Sequence, residues 1–203
     1  MTRNRTASVA GIIGLAGALA QVAYGVAALI HRYPSIIDRG YELMWLLVNL
    51  GMVASIVGWL AIEPSTSRRS LHVGGAVAAL GHLLRAGISA WLIVEPGADV
   101  DPFIVSSIVL MFGGMTIMGA ATLKGCRLNR VEAWAPLATV MTGMVTASFY
   151  STDKVLHFVL LGLLWGCTWL ALPIIVLRHR RGATGGRRPA TPVVRVPAAG
   201  QVR

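Results

Sequence analysis

Long apolar runs, each close to the length of a bilayer crossing, constrain this chain more than any motif within it. A spanning helix needs roughly 20 mostly apolar residues, and six stretches approach that, over about 8–30, 41–62, 71–94, 103–123, 134–150 and 154–177. Short polar segments separate them. The runs neither alternate nor carry a single apolar stripe, which argues against half-buried strands and surface helices of a soluble domain. Charge content agrees: 13% of residues are charged, where soluble domains carry about a quarter. The sequence therefore predicts an all-α, polytopic membrane protein. Its six transmembrane helices occupy residues 1–177, and residues 178–203 form a basic, disordered cytoplasmic tail rich in Arg, Gly and Pro.

Orientation follows from the basic residues flanking the runs. Arg3 and Arg5, Arg68 and Arg69, Lys124, Arg127 and Arg130, and the tail from Arg178 fall on one side. The other side holds Arg32, Arg39 and Lys154, and the connection after the third run carries Glu95, Asp99 and Asp101 without a positive residue. This asymmetry predicts a multi-pass plasma-membrane protein with cytoplasmic N- and C-termini. The fifth run is short and diluted by Thr and Ser, but removing it would place the basic tail outside. The first run is too long for a signal-peptide core of about 7–15 residues and reads as an uncleaved span. Tyr33, Tyr41, Trp45, Trp91 and Tyr150 fall where an outer aromatic belt belongs, with Trp59 and Trp134 at the inner face. The net charge of +10 comes from loops and tail, so the anionic inner leaflet, not nucleic acid, is the expected partner.

Polar groups inside a span are costly and mark candidate sites. Gln21, Asn49 and Arg85 fall about 12–14 Å below the outer ends of their runs at 1.5 Å per residue, and His82 lies one turn deeper on Arg85's face. These four are the candidate ligand-binding residues. A guanidinium stays protonated, and no acid is expected within an apolar run to neutralise Arg85. Three readings remain open. Arg85 snorkels outward to Glu95, Asp99 or Asp101; or Gln21, Asn49 and helix-end carbonyls satisfy it structurally; or a water-filled cavity presents it to an anionic or amphipathic small molecule or lipid head group. Small residues flank the polar ones at i±4 (Gly17 and Gly25, Gly81 and Ser89), where they either pack helices or line a cavity.

No cofactor or metal is expected. Cys126 and Cys167 have no companion at metal spacing, and His72, His82 and His157 fall at depths too different for a bis-His haem. Intramembrane carboxylate pairs, nucleophile elbows and phosphate-binding loops are missing from the sequence. The transporter or binding-protein reading therefore stands beside two others. One is an accessory subunit whose Gly/Ala faces pack against another membrane protein or a second copy. The other is an enzyme acting on a lipid or isoprenoid, with Asp153 and His157 as its acid–base pair.

Two local patterns complete the reading. Gly25-Val26-Ala27-Ala28-Leu29 matches Gly119-Ala120-Ala121-Thr122-Leu123, and Gly51-Met52-Val53-Ala54-Ser55 matches Gly143-Met144-Val145-Thr146-Ala147-Ser148. Ser65-Thr66 with Leu71-His72 likewise precedes Ser151-Thr152 with Leu156-His157. With three runs per half, such a repeat would be inverted, as in many secondary transporters. Asp153-Lys154-Val155-Leu156-His157-Phe158 resembles the DK-x-x-HF opening of a helix in VanZ-like membrane proteins; the likeness ends there and implies no function.

Overall fold

The computed structural model describes residues 2–31 and 39–179. Arg32, Tyr33 and the tail beyond His179 lie outside the described residues. The helices are α1 (Thr2–His31), α2 (Arg39–Ala61), α3 (Arg68–Val94), α4 (Asp101–Lys124), α5 (Arg130–Ala133), α6 (Ala135–Ser148), α7 (Lys154–Leu160) and α8 (Gly166–His179). A π-helical turn, Leu161–Trp165, joins α7 to α8 into one long rod. Among the described residues no strand forms; Ser65 and Cys126 make one isolated bridge that ties the α2/α3 and α4/α5 connections together.

Five segments are long and apolar enough to cross a membrane: Asn4–Ile30, Tyr41–Ala61, Arg68–Val94, Asp101–Lys124 and Val155–His179. The expected span at 134–150 is different. It is the 14-residue α6, separated from the four-residue α5 by Trp134. Pro136 explains the break: it has no N–H to offer the carbonyl of Glu132, and its ring disfavours helical geometry in the preceding turn. Side-chain caps set other boundaries. Asn129 accepts a hydrogen bond from the Glu132 amide at 2.8 Å to start α5, and Asp153 accepts from the Leu156 amide at 2.9 Å to start α7.

The helices pack in chain order, α1 on α2, α2 on α3, α3 on α4, α4 on α6, α6 on α8, and α8 back on α1, and α2 also packs on α8 across the ring. Large aliphatic side chains point outward, among them Ile12, Leu19, Leu47, Leu80, Val109 and Ile174, as bilayer solvent requires. Methionines, branched aliphatics and indoles fill the inside together with small and polar residues. This arrangement settles what the glycines beside Gln21 do. A Cβ on Gly17 would stand 2.7 Å from the Cα of Gly51, and one on Gly25 would stand 2.7 Å from the Cα of Gly162. Gly74 and Gly81 lie equally close to the backbone of α4, near Met118 and Met111. All are close helix contacts, not cavity lining.

Two belt assignments are corrected. Trp45 and Trp59 are buried in the main core with Met52, Ile56 and Trp169, whereas Trp91, Trp134 and Tyr150 are exposed near helix ends. Trp59 donates from Nε1 to Thr122 Oγ1 at 3.3 Å, so its polar edge has a partner within the bundle. An indole so satisfied has no need of the interface.

Candidate functional site

The four predicted site residues do not gather at one point. Three are brought together on α2 and α3, and the fourth faces a different seam, between α1 and the π turn. Gln21 turns from α1 toward the last helix, where its Nε2 donates to the carbonyl of Leu161 at 3.0 Å. Leu161 opens the π turn, whose widened geometry weakens the regular ladder and leaves carbonyls in need of donors. Gln21 thus serves as a clasp between α1 and the π turn, beside the Gly25–Gly162 contact. Thr142, at a similar depth, pairs with Thr168 at 2.8 Å and joins α6 to α8.

Asn49 and His82 form the buried centre of the α2–α3 pair. Asn49 Nδ2 donates to the Trp45 carbonyl at 2.8 Å, and Asn49 Oδ1 lies 2.9 Å from His82 Nδ1. These contacts fix the proton. A carbonyl only accepts, so the amide nitrogen must face Trp45; Oδ1 then faces His82 as an acceptor, and Nδ1 carries the hydrogen. His82 Nε2 keeps its lone pair. Both side chains are fully enclosed.

Arg85 lies one turn from His82, nearer the α3/α4 end of the bundle. Its Nη1 donates to Ser89 Oγ at 3.0 Å and stands 3.7 Å from Glu42 Oε2, while its Cζ lies 5.5 Å from the centre of the Trp45 ring. The expected acids are occupied elsewhere: Glu95 accepts from Trp91 Nε1 at 3.0 Å, and Asp99 accepts from the Asp101 amide at 3.4 Å. The expectation that no acid lies within a run is therefore corrected. Glu42, in the first turn of α2, is the acid that meets Arg85. Its place at a helix start made it read as a boundary residue, yet only 16% of its side chain is exposed, against 12% for Arg85.

The polar groups around this pair are incompletely matched. Glu42 Oε2 has no hydrogen-bond partner among the described residues, nor does Trp45 Nε1, although Trp45 is 92% enclosed (8% exposed). Trp59 and Trp169 donate their indole hydrogens, Trp169 to Ser55 Oγ at 3.2 Å, whereas Trp165 Nε1, like that of Trp45, has no partner among the described residues. Buried polar atoms left unmatched cost about 1–3 kcal/mol each, more when charged; Gln21 Oε1 and Trp165 Nε1 are unmatched elsewhere, but only here do two such atoms accompany an ion pair among the described residues. Aromatic rings continue from it: Tyr41 lies 6.0 Å from Trp45 and 5.7 Å from Tyr24 by ring centres, and Phe158 adds its edge.

The acid–base pair considered for an enzyme is not assembled. Asp153 is committed to capping α7, and His157 Nδ1 donates to the Thr146 carbonyl at 2.7 Å with Tyr150 edge-on to its ring. Among the described residues no three His, Cys, Asp or Glu side chains group as metal ligands, and both cysteines are free. Comparison with protein-family models, with curated proteins and with solved structures finds no match to this chain.

Proposed function

We propose that this is a membrane-embedded binding protein or small transporter for an amphipathic small molecule with an anionic group. The ligand enters from the outer face at the α3/α4 end of the bundle. Arg85 holds the anion, Glu42 and Trp45 line the mouth, and Asn49 with His82 close the floor. Gln21 lies outside this pocket and ties α1 to the π turn. The single observation that carries the reading is the ion pair at 3.7 Å whose acid oxygen and neighbouring indole N–H both lack hydrogen bonds. A structural salt bridge would be expected to close on itself, because enclosing charges is repaid only with good geometry and further hydrogen bonds.

The topology that belongs to this reading has six crossings, cytoplasmic termini and a plasma-membrane location. The 14 residues of α6 alone rise about 21 Å at 1.5 Å per residue, a short crossing of a hydrocarbon core of about 30 Å, with α5 and Trp134 at its cytoplasmic end. The excess of basic residues then falls on the cytoplasmic side, with Arg32, Arg39 and Lys154 outside. An inverted three-plus-three plan, with α1, α2 and α3 matching α4, α6 and α8, belongs to the same reading and rests on the paired sequence patterns. The accessory-subunit reading predicts the opposite biochemistry, a stable complex after mild extraction and no ligand response.

A thermal-stability screen of purified wild type and Arg85→Ala against anions, lipids and amphipathic acids tests the proposal. Stabilisation confined to wild type, with both proteins inserted, is the expected result. Identical profiles for the two proteins remove the binding role of Arg85.

A further inference from the structure

The pocket proposed above contains both signs of charge. Glu42 and Arg85 stand 3.7 Å apart and are largely enclosed, so together they bring no net charge into a low-dielectric region. A ligand with a lone anion must either displace Glu42 from the guanidinium or lie beside it. Both arrangements leave one charge uncompensated away from water. A lone cation meets the same difficulty at Arg85. A zwitterion does not: laid antiparallel to the protein's own pair, its anion meets Arg85, its cation meets Glu42, and the four charges sum to zero.

Two further features of the site suit such a ligand. Trp45 Nε1 is buried and unpartnered, a ready donor to an oxyanion. The rings of Tyr41 and Trp45 pack on each other with centres 6.0 Å apart, inclined at 74°, and Trp45 already holds the Arg85 guanidinium 5.5 Å from its centre. Aromatic faces attract bound ammonium groups.

We infer that the Glu42–Arg85 site takes a short zwitterion, an ammonium and an oxyanion separated by one or two carbons; this rests on the binding reading above. Free betaines and zwitterionic lipid head groups share that chemistry.

The test uses the full chain in a non-ionic detergent, with ligand-induced thermal shifts for four probes: dodecylphosphocholine, dodecyl phosphate, dodecyltrimethylammonium and glycine betaine. Wild type is expected to bind dodecylphosphocholine about tenfold more tightly than either singly charged amphiphile. Glu42→Gln should lose that preference and favour dodecyl phosphate, while Glu42→Asp, which keeps the charge, should retain it. Competition by glycine betaine identifies a free zwitterion as the ligand class; binding of the amphiphile alone identifies a head group. A wild-type preference for dodecyl phosphate that Glu42→Gln leaves unchanged overturns the zwitterion inference but leaves the anion-binding reading intact. Thermal shifts that are the same in Arg85→Gln overturn both.

Discussion

Nη1 of Arg85 stands 3.7 Å from Oε2 of Glu42, joining the third helix to the first turn of the second without a hydrogen bond between them. An arginine on an apolar helix costs about 2.5–3.5 kcal/mol on insertion scales, and a carboxylate at hand offsets much of it. Removing either partner therefore does more harm than removing both. Arg85→Gln should lower unfolding stability by about 1–3 kcal/mol, because Glu42 keeps an enclosed charge. Adding Glu42→Gln should recover part of that loss, with a coupling energy of about 0.5–3 kcal/mol in a double-mutant cycle. Strictly additive losses would show that the two charges act independently.

Asn49 and His82 form a second coupled pair, 2.9 Å apart and closed to solvent. Hydrogen bonds between membrane helices are worth about 0.6 kcal/mol on average and up to about 2. Asn49→Leu should cost more than this, because it also orphans His82 Nδ1. The same substitution in a His82→Phe background should cost clearly less. Equal penalties in both backgrounds would mean the contact contributes no energy.

Glycines on the two kinds of helix face should respond oppositely to alanine. At Gly17 and Gly25 a methyl group meets the opposing backbone at 2.7 Å, so substitution should destabilise by about 1–3 kcal/mol. Gly87 and Gly113 have nothing within 4 Å, and alanine there should stabilise by up to about 1 kcal/mol through helix propensity. Unfolding measurements in mixed micelles separate the two classes; a uniform response would contradict the assigned packing.

Glu132, buried at 8% exposure, receives Arg178 Nη1 at 3.3 Å and pairs with His179 Nε2 at 2.9 Å, which secures the end of α8 against α5. Glu132→Gln should free this end, and trypsin should cut at Arg178 several-fold faster. An unchanged rate of cleavage would mean that other contacts hold it.

How much of this was legible in the sequence varied with the scale of the feature. Long apolar runs predicted five helices closely, because in lipid a helix must satisfy its own backbone groups over the full crossing. The segment around α6 was only half legible: its apolarity showed, but the break that Pro136 imposes at Trp134 shortened it to 14 residues. Counting residues from run ends placed Asn49, His82 and Arg85 at related depths, which is how they come to be neighbours. It gave no azimuth, so it did not show that Gln21 turns toward Leu161 and away from the α2–α3 seam. Glu42 was missed because a charge one residue inside a run reads as its boundary. A long side chain such as Arg85 reaches outward along its helix, and the acids to consider are those about two turns nearer the surface. Trp45 and Trp59 were read as belt residues from position alone, since burial depends on which face meets a neighbour.

The most direct measurement is the ligand-induced change in melting temperature of wild type and Arg85→Gln, both shown to be inserted and monodisperse, against dodecylphosphocholine. The account predicts a concentration-dependent rise for wild type and none for Arg85→Gln. Equal rises in both proteins would contradict it.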